Sequence, residues 1–148
     1  MDETLLFQLV DDLQDLFAND NDFSDVVVKK SYDGEDSITY PCVIVSEIEN
    51  SDNSRFYDLQ EHIVNVAYQF TILSEQSSDN DADTNVRLIM NLIKNYMRGE
   101  RYHSLHRTGD NPVVNHPNDD NIKIGYMRYT GCIDIDTHTI YRRNYIWN

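Results

Sequence analysis

Cysteine is scarce in this chain of 148 residues, occurring only at Cys42 and Cys132. Standing 90 positions apart, the two supply neither a disulfide framework nor a CxxC metal knuckle. The five glycines, at 34, 99, 109, 125 and 131, form neither the GxGxxG turn of a dinucleotide site nor a phosphate-binding P-loop. No apolar run approaches the roughly 18 residues that a membrane span requires, so no membrane role is expected. No basic segment precedes Leu5-Leu6-Phe7, and Asp11-Asp12 follows soon after, so no signal peptide is expected. Basic residues are also few: 12 Lys and Arg stand against 26 Asp and Glu, for a net charge of −14. That balance argues against a general binder of the DNA backbone. The expectation is a soluble, acidic protein made inside the cell.

Apolar residues make up 40% of the chain, with ten Tyr, five Phe and one Trp, enough to argue against wholesale disorder. A single domain of this length should bury about 68–70% of its unfolded surface without help from a metal. The charge is unevenly placed. Residues 1–86 hold 20 acidic and 3 basic side chains, whereas residues 87–148 hold 6 acidic and 9 basic. Such asymmetry can mark surfaces that pair between copies, or it can reflect acidic loops that happen to fall early.

Leu5, Leu6, Leu9, Leu13, Leu16 and Phe17 recur at helical spacing, with Asp2 and Glu3 suited to the N-terminus and Asn19-Asp20-Asn21-Asp22 ending the pattern. Asp25 to Lys30 reads as a strand, followed by a turn at Asp33-Gly34 and a returning strand from Ile38 to Ile48. Pro41 cannot donate to a ladder and belongs at that strand's start or on a sheet edge. Residues 50–61 are polar and read as a loop. From His62 to Leu73, Val64, Val66, Tyr68, Phe70 and Ile72 alternate with Asn65, Gln69 and Thr71, which predicts a strand with one core face and one wetter face. An acidic connector over 74–83 precedes a second helix, capped by Asp83 or Thr84, with Val86, Ile89, Met90, Ile93 and Met97 on one stripe and a stop at Gly99.

Residues 99–120, broken by Gly109, Pro112 and Pro117, read as a long irregular segment, part of which, around Tyr102 to His106, could form a short strand. A strand from Ile122 to Ile135, a turn at Asp136-Thr137-His138 and a short strand from Thr139 to Tyr141 finish the chain. The order α-β-β-β-α-β-β predicts an α+β fold, a mainly antiparallel sheet with two packed helices, within one domain spanning 1–148.

Catalytic and metal motifs are sparse. Asp79-Asn80-Asp81-Ala82-Asp83 has the alternating oxygens of a calcium loop, but Thr84 stands where that loop needs Gly and Met90 where it needs Glu. His103 and His106 lack a third zinc ligand nearby. No GxSxG elbow surrounds any serine, Ser104 included, and Cys42 and Cys132 read as small buried hydrophobes. Glu47 and Glu49 would share a strand face as a carboxylate pair, although exposed strand positions explain them more cheaply. The expectation is a non-enzyme without cofactor or metal.

Contact features remain. Arg98, Arg101 and Arg107, with His103 and His106 among them, form a basic cluster flanking the irregular segment. It suits docking onto an acidic surface of another subunit or onto phosphate, while helix C-terminal compensation would account for Arg98. Arg142 and Arg143 precede Tyr145-Ile146-Trp147, a tail apolar enough for Trp147 to pack back or onto a neighbour.

Four segments in order carry a family resemblance: Tyr40-Pro41-Cys42-Val43-Ile44-Val45 leading to Glu47-Ile48; Val66-Ala67-Tyr68-Gln69-Phe70-Thr71-Ile72; the helix Val86-Arg87-Leu88-Ile89-Met90-Asn91-Leu92-Ile93; and Met127-Arg128-Tyr129-Thr130-Gly131-Cys132-Ile133-Asp134 followed by Thr139-Ile140-Tyr141-Arg142-Arg143. Together they cover about residues 40–143, and the chain resembles the tail terminator (tail-completion) proteins of long-tailed bacteriophages. The resemblance implies a virion protein, assembled in the host cytoplasm, that forms a homo-hexameric ring at the head-proximal end of the tail. Such a ring would cap the tail tube protein, end tube polymerisation and present a surface to the neck or connector proteins. DNA would pass through its channel without specific binding. The acidity adds a second hypothesis, that if some of the 26 carboxylates line that channel they would repel the DNA. Two alternatives accompany this reading: a head-closure or neck ring subunit, and an acidic DNA mimic that occupies a basic host protein.

Overall fold

A computed structural model describes residues 4–30, 39–52, 63–134 and 139–140. The first helix, α1 (Thr4–Ala18), forms where the leucine spacing predicts it. Leu5, Leu9, Leu13 and Phe17 are all but fully buried, with Leu6 and Val10 beside them, while Asp11 and Asp15 face outward. It ends because Asp20 turns the chain: its carboxylate accepts from the backbone N–H of Asp22 at 2.9 Å and of Phe23 at 3.1 Å. Asp2 and Glu3 lie outside the described residues.

The next elements are β1 (Val27–Lys30) and β2 (Cys42–Asp52), and here two expectations change. A turn at Asp33-Gly34 would have reversed the chain into an antiparallel pair. Those residues lie outside the described ones, but β1 and β2 pair in parallel, Val27 opposite Cys42 through Lys30 opposite Val45. The second change is that β2 starts at Cys42 and extends through 50–52, which read as loop, because β3 pairs with it along that whole length. Pro41 stands just before β2, where its missing N–H leaves the ladder intact. The rest of the polar stretch, 53–61, lies outside the described residues.

Strand β3 (Ile63–Glu75) bears out the alternation: Val64, Val66, Tyr68, Phe70 and Ile72 are buried, and Asn65, Gln69 and Thr71 are only partly so. The acidic connector is shorter than its composition suggested. β3 runs to Glu75, a tight loop closes with the bridge between Ser77 and Asn80, and α2 begins at Ala82. The cap is Asp81, not Asp83 or Thr84. Its side chain accepts from the Thr84 N–H, and the Gln76 side chain accepts from the Ala82 N–H at 3.0 Å, so two N–H groups of the first turn find partners.

Helix α2 (Ala82–Met97) buries Val86, Ile89, Met90, Ile93 and Met97. It stops as expected, with Gly99 N–H donating to the Tyr96 carbonyl at 3.0 Å. The largest correction follows. Residues 99–120 are not a long irregular segment: after a short turn over 99–105 they form β4 (His106–His116), which turns at Pro117-Asn118 into β5 (Asp119–Asp134). Tyr102 to His106 is mostly turn, not strand. Gly109 and Pro112 fall at register shifts in β4, where an irregular ladder accommodates the residues that suggested a loop. A short β6 (Thr139–Ile140) closes the described chain, and the turn at 136–138 and Tyr141 lie outside it.

The α-β-β-β-α-β-β order holds, with one more strand inside 99–120. The fold is α+β: a six-stranded, mostly antiparallel sheet in the order β1-β2-β3-β5-β4, with β6 also on β5. Both helices contribute to one core on one sheet face, built from Val43, Val45, Val66, Tyr68, Phe70, Met127 and Tyr129. Gly125 lets α2 sit close, since a Cβ there would stand 2.6 Å from Met90 Sδ and 2.7 Å from Val86 Cγ1. The opposite face carries a smaller cluster of Leu73, Ile122 and Ile124 with Tyr40, Ile44 and Tyr126 against it.

Candidate functional site

The register of β4 against β5 decides what the basic cluster becomes. Arg107 stands opposite Tyr129, so both belong to the helix-bearing face, at the C-terminal end of α2. Lys94 and Arg98 sit four residues apart on that helix and face the same space. The turn over 99–105 then brings His103 and Leu105, and β4 opens with His106. The result is a surface cleft of about 330 Å³ lined by Lys94, Met97, Arg98, His103, Leu105, His106, Arg107 and Tyr129. Its lining holds five basic residues and no acid.

Part of that charge is already compensated. Asp110 Oδ2 accepts from Lys94 Nζ at 2.7 Å and from Arg107 Nη1 at 3.1 Å. Arg98, His103 and His106 are exposed and make no ion pair among the described residues. Beneath them Tyr129 is 5% exposed, its ring edge-on to Phe70 at 5.6 Å, and its hydroxyl has no hydrogen-bond partner among the described residues. Burial pushes the Tyr129 phenol up, Arg107 and Arg98 pull it down, and Asp110 pushes it up, which places both guanidiniums within electrostatic reach of that hydroxyl. Chemically, the cleft offers a phenol donor and several cationic N–H donors to an oxyanion.

Arg101 is not part of the cleft. Its guanidinium turns to Asp12 on α1 at 3.3 Å, and Tyr102, fully buried, donates to the same carboxylate at 2.5 Å. These contacts fasten the turn after α2 to a helix some 90 residues earlier, so Arg101 is better read as structural. Sequence reasoning missed Tyr129 and Asp110, which only the β4–β5 pairing and the bulge after Arg107 bring near. For Lys94 the signal in the sequence is its spacing of four residues from Arg98, which gives the two a shared face.

A second cleft, of about 580 Å³, lies at the other end of α2, lined by Asp22, Phe23, Asp25, Tyr40, Pro41, Glu75, Ser77, Asn80, Asn85 and Leu88. It carries three carboxylates and no base. From Leu88 to Met97 along the helix is roughly 14 Å, so two clefts of opposite charge bracket one element.

The remaining candidates separate. Glu47 and Glu49 do not form a pair: a bulge at Ile48 leaves Glu47 opposite Tyr68 and Glu49 opposite Ala67, on opposite sheet faces. Asp81 and Asp83 are engaged by Thr84 and Arg87. Among the described residues no three His, Cys, Asp or Glu converge on a metal position, and no helix is long and apolar enough to cross a membrane. Cys42 is fully buried, with its thiol pushed up by burial, whereas Cys132 is half-buried and donates to Asn65 at 3.4 Å. Arg142, Arg143 and Trp147 lie outside the described residues. Compared with known proteins, the chain matches no family model and no curated protein.

Proposed function

We propose that the protein is a non-catalytic virion subunit that caps the head-proximal end of a phage tail tube as a ring. The observation that carries this reading is where the resembling segments fall. Tyr40–Ile48 leads into and forms β2, Val66–Ile72 lies in β3, Val86–Ile93 in α2 and Met127–Asp134 in β5. They are the three adjacent middle strands and the helix lying on two of them, a contiguous block of the core rather than scattered pieces. A ring of identical copies uses heterologous contacts, in which one patch meets a different patch on the next copy. The oppositely charged clefts at the two ends of α2 suit such a joint.

The test is to disrupt the gene in its phage and image the particles by negative-stain electron microscopy. Overlong or unjoined tails beside filled heads are the expected result. Tails of normal length beside emptied heads would move the protein to the neck, and intact infectious virions would remove both structural roles.

A further inference from the structure

We infer that the basic cleft at the C-terminal end of α2 is a carboxylate-binding site, and that its occupant is the acidic loop Asp20–Asp25 of a second copy of this chain. The inference rests on the ring reading for its partner, and on the structure for its geometry.

Three observations point to a ligand. Arg98, His103 and His106 stand at the rim without an ion pair among the described residues. The Tyr129 hydroxyl, on a side chain more than nine-tenths buried, lines the cleft with no hydrogen-bond partner among those residues. That hydroxyl is open to the cleft, where an incoming carboxylate oxygen can accept from it in place of water. The volume of about 330 Å³ is at the lower end of small-molecule pockets and has room for a pair of side chains.

Charge selects the occupant. The loop after α1 presents Asp22 and Asp25 exposed, and neither makes an ion pair among the described residues. It rims the acidic cleft at the opposite end of α2, so one copy cannot satisfy both ends. A second copy, placed head to tail, can. Each chain carries a net charge of −14, which repels its neighbour at long range. At physiological salt that repulsion is screened beyond about 8 Å, while contacts inside the cleft are screened far less. A nucleic-acid backbone would meet the same long-range repulsion with many more charges.

The test is sedimentation velocity of the full chain at physiological salt over a concentration series, with circular dichroism as the folding control. Arg98→Glu and Asp22→Lys/Asp25→Lys should each weaken self-association roughly tenfold or more. An equimolar mixture of the two should regain association, because the reversed charges meet across one joint. Tyr129→Phe, which keeps the packing, should weaken it severalfold. Unchanged association of Arg98→Glu, or failure of the swapped pair to recover, overturns the contact. A wild type that stays monomeric at roughly millimolar concentration overturns it as well. Arg98-dependent binding of inorganic phosphate without self-association would reassign the cleft to a small anion and also overturn it. Tail length reads the ring independently: overlong tails on gene disruption, but tails of normal length in a phage carrying Arg98→Glu, would sink this contact and leave the ring standing.

Discussion

Asp12 illustrates how one side chain can hold distant parts of the chain together. It receives the Tyr102 hydroxyl at 2.5 Å and the Arg101 guanidinium at 3.3 Å, joining α1 to the turn after α2. Burial first, then the hydrogen bond to Asp12, pushes the Tyr102 phenol well above its ordinary value. The sign of the linkage follows. Because the folded state holds this proton more tightly, the stabilisation is complete below the unfolded value near 10 and is lost as the pH climbs past it. Tyr102→Phe should therefore cost about 1–2 kcal/mol near neutrality. That gap should narrow above about pH 10 when urea midpoints of wild type and variant are followed with pH. Gly125 gives a second residue-scale prediction. A methyl there would press on Val86, whose branched side chain has little rotamer freedom in a helix. Gly125→Ala should cost about 1–3 kcal/mol, and adding Val86→Ala should recover part of it, as read from urea midpoints.

Elements differ in how much of themselves their residues announce. The bulge at Ile48 is one extra residue in β2, with the register intact on both sides. Deleting Ile48, which is 43% exposed, should leave a folded protein within about 1 kcal/mol of wild type by thermal melting. Deleting Gln69 from β3 should unfold it, because β3 pairs without a break with β5 and a one-residue slip turns its buried face outward. The same contrast explains what could be read beforehand. α1, α2 and β3 bury one regular face, so their periodicity survives in the sequence. β4 is an edge strand of largely exposed His, Arg, Thr, Gly and Asp whose pairing is imposed by β5, and its breaker residues therefore suggested a loop. The parallel β1–β2 register left no local mark, since turn residues report reversals and not crossovers. Within the candidate site, Arg98, His103, His106 and Arg107 were legible because they are close in sequence. Tyr129 and the diversion of Arg101 depend on partners too far along the chain for spacing to reveal.

At the scale of the whole molecule, net charge opposes compaction. With −14 spread over 148 residues, self-repulsion should weaken as salt rises. Raising NaCl from about 0.02 to about 0.5 M should increase the melting temperature by a few degrees, roughly what 1 kcal/mol produces at this size. A melting temperature that falls with salt would mean that ion pairs such as Lys94–Asp110 outweigh the repulsion. The contact between copies should respond in the opposite direction at high salt, losing strength as its own charges are screened, so stability and association should part company along one titration.

The sheet order also dictates when the molecule can be completed during synthesis. β3 lies between β2, which precedes it, and β5, which does not begin until Asp119. A chain stalled before that point has both helices and yet leaves its middle strand with an open row of backbone donors and acceptors. Such a fragment is a template for strand addition, and premature termination should yield aggregation rather than a smaller working unit. β5, made late, is what closes the centre of the fold.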